Sequence, residues 1–156
     1  MMRPIAILIL AASLLLPLPS CLAEGTGGLQ LEILSHPEGG LLWHAPVAPG
    51  DLFRLEYTHS SDGTPVRGIF RVEGDGRFIL LEEQYRWYGA GLESHPQARI
   101  FFDGDWTRVA VNRPFKDLLI RVGRVSRQVI ESGGSRVALT DLAPGGSLLQ
   151  LRIAKR

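Results

Sequence analysis

The chain has 156 residues, with 17 basic and 16 acidic side chains and one cysteine, enough for one domain that buries about two thirds of its unfolded surface. The first 23 residues carry a single charge, Arg3, so the remainder has 16 basic and 16 acidic groups and is formally neutral. That argues against a polyanion-binding surface built on net charge, and the arginines alternate singly with apolar residues instead of forming the basic runs that mark nucleic-acid patches.

Residues 1–23 read as a signal peptide: Met1-Met2-Arg3 is the positive start, Pro4 to Leu18 is nearly all apolar, and Pro17, Pro19 and Ser20 precede a small-residue site. The apolar run is about fifteen residues before the prolines, short of the roughly 20 that a spanning helix needs. Two cleavage schemes compete. Cys21-Leu22-Ala23 before Glu24 suits signal peptidase I and gives a soluble periplasmic or secreted product, the favoured outcome, whereas Leu18-Pro19-Ser20-Cys21 resembles a lipobox that would leave a lipid anchor at Cys21. In either case no structural disulfide follows, because Cys21 is the only cysteine.

Residues 24–28 are a glycine-rich tether, and 29–156 read as one β domain. Leu29 to Leu34 alternates like a strand, Pro37-Glu38-Gly39-Gly40 turns, and Leu41 to His44 is a second strand stopped by Pro46 and Pro49. Phe53, Leu55, Tyr57 and His59 fall on one face of the next strand, so an imidazole ends a row of apolar and aromatic groups. After the turn Ser61-Asp62-Gly63-Thr64-Pro65 comes its partner, running to Val72. Phe78 to Tyr85 follows, with Phe78 and Leu80 facing one way and Ile79, Leu81 and Tyr85 the other, which suggests a central strand.

Tyr88-Gly89-Ala90-Gly91 places two glycines directly after aromatics, as a close backbone approach requires. Arg99 to Phe102 and Trp106 to Val111 flank the hairpin signal Asp103-Gly104, and Asn112 to Phe115 reads as an irregular link. Leu118 to Val122, Val125 to Glu131, Arg136 to Leu139 and Leu148 to Ile153 complete about ten short strands. No window holds a helical period over three turns. The fold expected is an antiparallel β-sandwich, with a small β-barrel as the alternative.

Catalytic patterns are scarce. The four histidines lack i, i+2 or i, i+4 pairing, Glu82 and Glu83 point to opposite faces of one strand, and Ser60, beside His59, has no nucleophile elbow around it. Gly89-Ala90-Gly91 precedes no helix that could present its N-terminus to a phosphate. The residues therefore point to a non-enzymatic binding protein without a cofactor, its candidate site residues being Tyr57, His59, Ser60, Tyr88, Gly89, Ala90 and Gly91. His59 itself has two readings, a buried neutral imidazole held by a hydrogen bond or a ligand-binding group.

Tyr57-Thr58-His59-Ser60, Pro65-Val66, Phe70 and Tyr88-Gly89-Ala90-Gly91-Leu92 together resemble a family of small bacterial exported proteins that is a domain of unknown function, over about Leu29 to Ile153. Arg67-Gly68 stands where that pattern has an acidic residue, and Glu93 where it has proline. The resemblance implies a neighbourhood, since its members are commonly encoded beside TAXI-type TRAP transporters. It points to an accessory for uptake of a small anionic solute, partnered by the solute-binding protein or the permease, with no nucleic acid and with membrane contact only through the permease or a lipid anchor. Because its two motifs fall at the His59 stretch and at Gly89-Ala90-Gly91, it also implies that the glycine loop packs over the His59 end of the strand. An independent small-ligand or metal-binding module centred on His59 is the alternative.

Overall fold

In the computed structural model, residues 28–86 and 99–156 are described. The described residues form eleven strands: β1 Leu29–His36, β2 Leu41–Val47, β3 Leu52–Thr58, β4 Pro65–Val72, β5 Phe78–Tyr85, β6 Arg99–Asp103, β7 Trp106–Phe115, β8 Asp117–Arg121, β9 Val129–Ser132, β10 Ser135–Ala138 and β11 Leu148–Lys155. One four-residue helix, α1 Leu139–Leu142, separates the last two. A four-stranded sheet, β2-β1-β11-β8, faces a seven-stranded sheet, β10-β9-β3-β4-β5-β7-β6. All pairings are antiparallel and neither sheet closes, so the fold is a β-sandwich, as its period-2 pattern and regular turns require.

The main core lies where both sheets overlap. Leu31, Ile33, Leu149, Leu151 and Ile153 of the smaller sheet meet Phe53, Phe70, Val72, Phe78 and Leu80 of the larger. Phe53 stacks on Phe70 with centroids 4.8 Å apart, and Phe78 meets both edge-on at 5.4 and 5.7 Å. Such pairs add about 0.5–1.5 kcal/mol each beyond the area they bury. The Phe70 ring fills the space beside Gly68, where a Cβ would lie 2.9 Å from its Cε2. Residue 68 is therefore a packing glycine, at a position with ordinary backbone angles.

The outward face of the larger sheet is a lattice of ion pairs. Arg54 meets Glu131 at 2.7 Å, Arg67 meets Glu56 at 2.6 Å and Arg108 meets Glu82 at 2.8 Å, each across neighbouring or near-neighbouring strands. Arg67 also lies 4.1 Å over the Trp106 ring. These arginines line the outward faces of strands, each paired with a carboxylate.

Several local expectations change. Pro46 sits inside β2 opposite Gln30 instead of ending the strand, which is tolerated because β2 is an edge strand with no second partner for a missing N–H. Asn112 to Phe115 belongs to β7: the chain absorbs a left-handed Asn112, at φ 52°, and goes on pairing with β5. Val125 is exposed in a bend, and β9 starts only at Val129.

The largest change concerns β5. Its register slips against both neighbours, between Ile69 and Phe70 of β4 and between Leu80 and Glu82 of β5 against β7. Against β4 one residue is gained at Leu81, whereas against β7 Leu81 alone stands opposite Val111 and Asn112, and the alternation of the β5 faces reverses beyond it. Tyr85, paired with Val66, returns to the inward face of Phe78 and Leu80 and is buried, whereas strict alternation places it opposite.

Candidate functional site

The β3–β4 connection begins at the site that the sequence singled out. β3 ends at Thr58, so His59 is the first residue of the turn and not the last of the strand. Its backbone N–H donates to the Thr64 carbonyl at 2.8 Å, and its carbonyl accepts from Gly63 at 3.0 Å. The ring bonds within the same turn: Nδ1 lies 2.8 Å from Ser61 Oγ and 3.5 Å from Asp62 Oδ1. With 24% of its side chain exposed, His59 is not the fully buried imidazole of the structural reading. Ser60 is exposed at the tip of the turn.

Asp62 organises this turn. Its Oδ1 accepts from the Thr64 N–H at 2.9 Å and from the Thr64 hydroxyl at 2.7 Å, and these bonds hold its carboxyl below the ordinary value.

Tyr57 faces inward, opposite Val66, and starts a row that continues through Tyr85 and Thr107 to Phe102. The next row is Leu55, Gly68, Glu83, Val109 and Ile100. The Tyr85 hydroxyl donates to Glu83 Oε2. Burial, and secondarily the Glu83 charge, raise the Tyr57 pKa above its ordinary 10.0. Tyr57, Val66, Tyr85, Val109 and Val111 form a second apolar cluster whose members all come from the larger sheet.

Sequence reasoning passed over Glu83. It does lie on the face opposite Glu82, as expected, but the slip at Leu81 makes the Glu83 face the inner one, and nothing in the local sequence announces that slip. Tyr88, Gly89, Ala90 and Gly91, and the packing of their loop over the His59 end, lie outside the described residues.

Beside Tyr57 and Thr58 an open cleft of about 570 Å³ is also lined by Arg127, Val129, Arg136 and Asp141. Arg127 holds a left-handed backbone at φ 44°. Among the described residues, no three His, Cys, Asp or Glu side chains gather as metal donors. None of the described helices is long and apolar enough to cross a membrane.

At the far edge of the larger sheet, β6 exposes Ile100, Phe101 and Phe102 by 41, 54 and 80%. Both faces of an edge strand thus carry uncovered apolar side chains, and among the described residues no second strand pairs with it.

These features define an open-sheeted β-sandwich with shallow sites at its rim. A family model matches residues 53–139, and the chain belongs to that family, the domain of unknown function DUF1850. The match contains β4 through β10 and nearly all of β3, leaving β1, β2 and β11 outside it. No curated protein and no solved structure matches the chain.

Proposed function

We propose that this protein is an exported, non-catalytic accessory of a TAXI-type TRAP uptake system, acting in the periplasm by docking on the solute-binding protein or the permease. The observation that supports this reading best is β6. A soluble domain seldom leaves three consecutive large apolar residues exposed on a sheet edge, because a free edge with an apolar surface invites pairing with other chains. Here Phe101 and Phe102 are uncovered, and a partner strand or loop would bury them. The signal-peptide pattern at residues 1–23 supplies the route to the periplasm.

The test is binding between the purified protein and a purified TAXI-type solute-binding protein, or the permease in detergent. The double change Phe101→Asp with Phe102→Asp should weaken binding by at least about tenfold, since buried aromatic anchors dominate interface energies. Its melting temperature should stay unchanged, because both side chains are exposed. Equal binding by the double variant contradicts the docking surface.

A second reading is an independent small-ligand module at the His59 end. The cleft beside Tyr57 favours it, since Arg127 and Arg136 line it together with Glu56 and Asp141 and give it polar groups of both signs for a small charged ligand. Calorimetric titration with small carboxylates separates the two readings, and Arg136→Ala should abolish any heat that arises in this cleft.

A further inference from the structure

Among the described residues the two sheets end in four edge strands, β2, β8, β10 and β6. Three are poorly suited to receive another strand. β2 exposes Leu41 and Leu42 but carries Pro46, which has no N–H to donate. β10 has four residues and exposes no large apolar side chain. β8 exposes Leu119, and the charges at its ends are engaged within its own sheet and the adjoining turn: Asp117 accepts from Gln150 at 3.1 Å, and Arg121 donates to the Gly146 carbonyl at 2.8 Å. β6 differs. It exposes Ile100, Phe101 and Phe102 in succession, between an exposed arginine at one end and an aspartate with 71% of its side chain exposed at the other.

The order of these five residues, Arg99-Ile100-Phe101-Phe102-Asp103, makes the strand complementary to itself when reversed. Asp103 and Trp106 flank the two-residue turn Gly104-Asp105 and so form a hydrogen-bonded pair, which directs the backbone groups of Asp103, Phe101 and Arg99 toward β7. Those of Ile100 and Phe102 point to the open edge. A second copy laid antiparallel on that edge, with the two-fold axis at Phe101, brings Ile100 opposite Phe102 of the second copy, and the reverse. These are the residues whose free N–H and C=O groups face outward, so the backbone phase and the side-chain order select the same register. It also sets Arg99 opposite Asp103 of the second copy, twice over. Asp103 is open to such a contact, since Arg108 lies 3.6 Å from it and makes its closer bond to Glu82 at 2.8 Å.

We propose that β6 is the two-fold interface of a homodimer, in which the seven-stranded sheets of two copies join edge to edge. On the inner face Ile100 and Phe102 of both copies form one apolar cluster, and on the outer face Phe101 meets its own counterpart between the two Arg99–Asp103 pairs. The contact is isologous and closes on itself, so a third copy has no edge to join. It rests on the same uncovered edge as the docking reading but needs no transporter component. Because one edge takes one partner, self-pairing and docking exclude each other.

The experiment is sedimentation equilibrium of the purified protein alone, up to about 500 µM, where a monomer–dimer equilibrium without larger species is expected. Arg99→Asp alone and Asp103→Arg alone each turn two attractive cross-strand pairs into repulsive ones, so each should weaken self-association by at least about fivefold. The double exchange Arg99→Asp with Asp103→Arg reverses both charges together and should restore association to within about twofold of the parent. An equimolar mixture of the two single variants should form a mixed dimer under conditions where neither dimerises alone, which keeps the register testable if the double exchange fails to fold. The proposal is overturned if the parent is monomeric up to about 500 µM, or if the single variants associate as the parent does. It is equally overturned if neither the double exchange nor the mixture recovers association, or if species larger than a dimer accumulate. A dimer that fails to bind the solute-binding protein and the permease contradicts the docking reading alone, and a monomer that binds either contradicts the dimer alone.

Discussion

Phe53→Ala removes the ring that ties β3 to the aromatic centre. That ring is 2% exposed, stacks on Phe70 at 4.8 Å and meets Phe78 edge-on at 5.4 Å. Truncating a buried phenylalanine typically costs about 3–5 kcal/mol, the upper part of that range applying where neighbours cannot collapse into the gap. Here Phe70 is held against Gly68 and Phe78 stacks on Phe115 at 5.7 Å, so collapse is limited and about 4 kcal/mol is expected. For a domain of roughly 130 residues, about 1 kcal/mol moves the melting temperature by about 4 °C, which gives a fall of about 15 °C. Urea unfolding followed by tryptophan fluorescence measures it at lower temperature. Ile130→Val, at a fully buried position in the same core, should cost about 1 kcal/mol and serves if the alanine variant does not fold. Phe102→Ala is the control, because that ring is 80% exposed. A Phe53→Ala cost below about 1 kcal/mol, or one equalled by Phe102→Ala, would refute the two-sheet core.

Gly68→Ala should destabilise by about 1–3 kcal/mol in the same assay, because its Cβ needs space that the buried Phe70 ring occupies. Asp62 and Asp75 have carboxyls held below their ordinary 3.8, by Thr64 and Arg77 respectively. Their lowered folded pKa values stabilise the fold above the ordinary value, and that contribution is lost as pH falls through the lowered ones. Melting temperature should therefore decline below about pH 4, and the double change Asp62→Asn with Asp75→Asn should flatten that decline. Tyr57 has the opposite sense. Its raised pKa means that stability is intact below 10.0 and is lost as pH rises beyond it, and ultraviolet titration should show one tyrosine ionising late. Tyr57→Phe should remove that late step, while Glu83→Gln should bring it earlier yet still leave it above 10.0, because burial is the larger cause.

Local chemistry made much of the scaffold legible. Asp103-Gly104 forms the β6–β7 hairpin with Gly104 at φ 55°, and Gly133-Gly134 turns β9 into β10 at φ 54° and 81°, conformations that glycine adopts freely. The alternation in β4 was equally clear, since Val66, Gly68, Phe70 and Val72 are all buried. Legibility fails where one residue shifts the phase. The slip at Leu81 reverses the faces of the rest of β5, and a run such as Leu80-Leu81-Glu82-Glu83 reads equally well with or without it. His59 shows the same limit at a strand end. Period 2 extends the row of Phe53, Leu55 and Tyr57 to it, but Asp62 and Thr64 capture the chain into a turn one residue earlier. Strand order in the larger sheet was beyond reach too, because β9 joins β3 across more than seventy residues of chain and no local signal encodes such a pairing.

The proposed function is docking of the β6 edge on a TAXI-type transporter component. Site-specific photo-crosslinking in cells that express the transporter tests it most directly, with a photoreactive phenylalanine analogue at Phe101 and, as control, at the exposed Leu119 of β8. The account predicts an adduct from position 101, identified by mass as the solute-binding protein or the permease, and none from position 119. Absence of either adduct at position 101, or equal adducts from both positions, would contradict it.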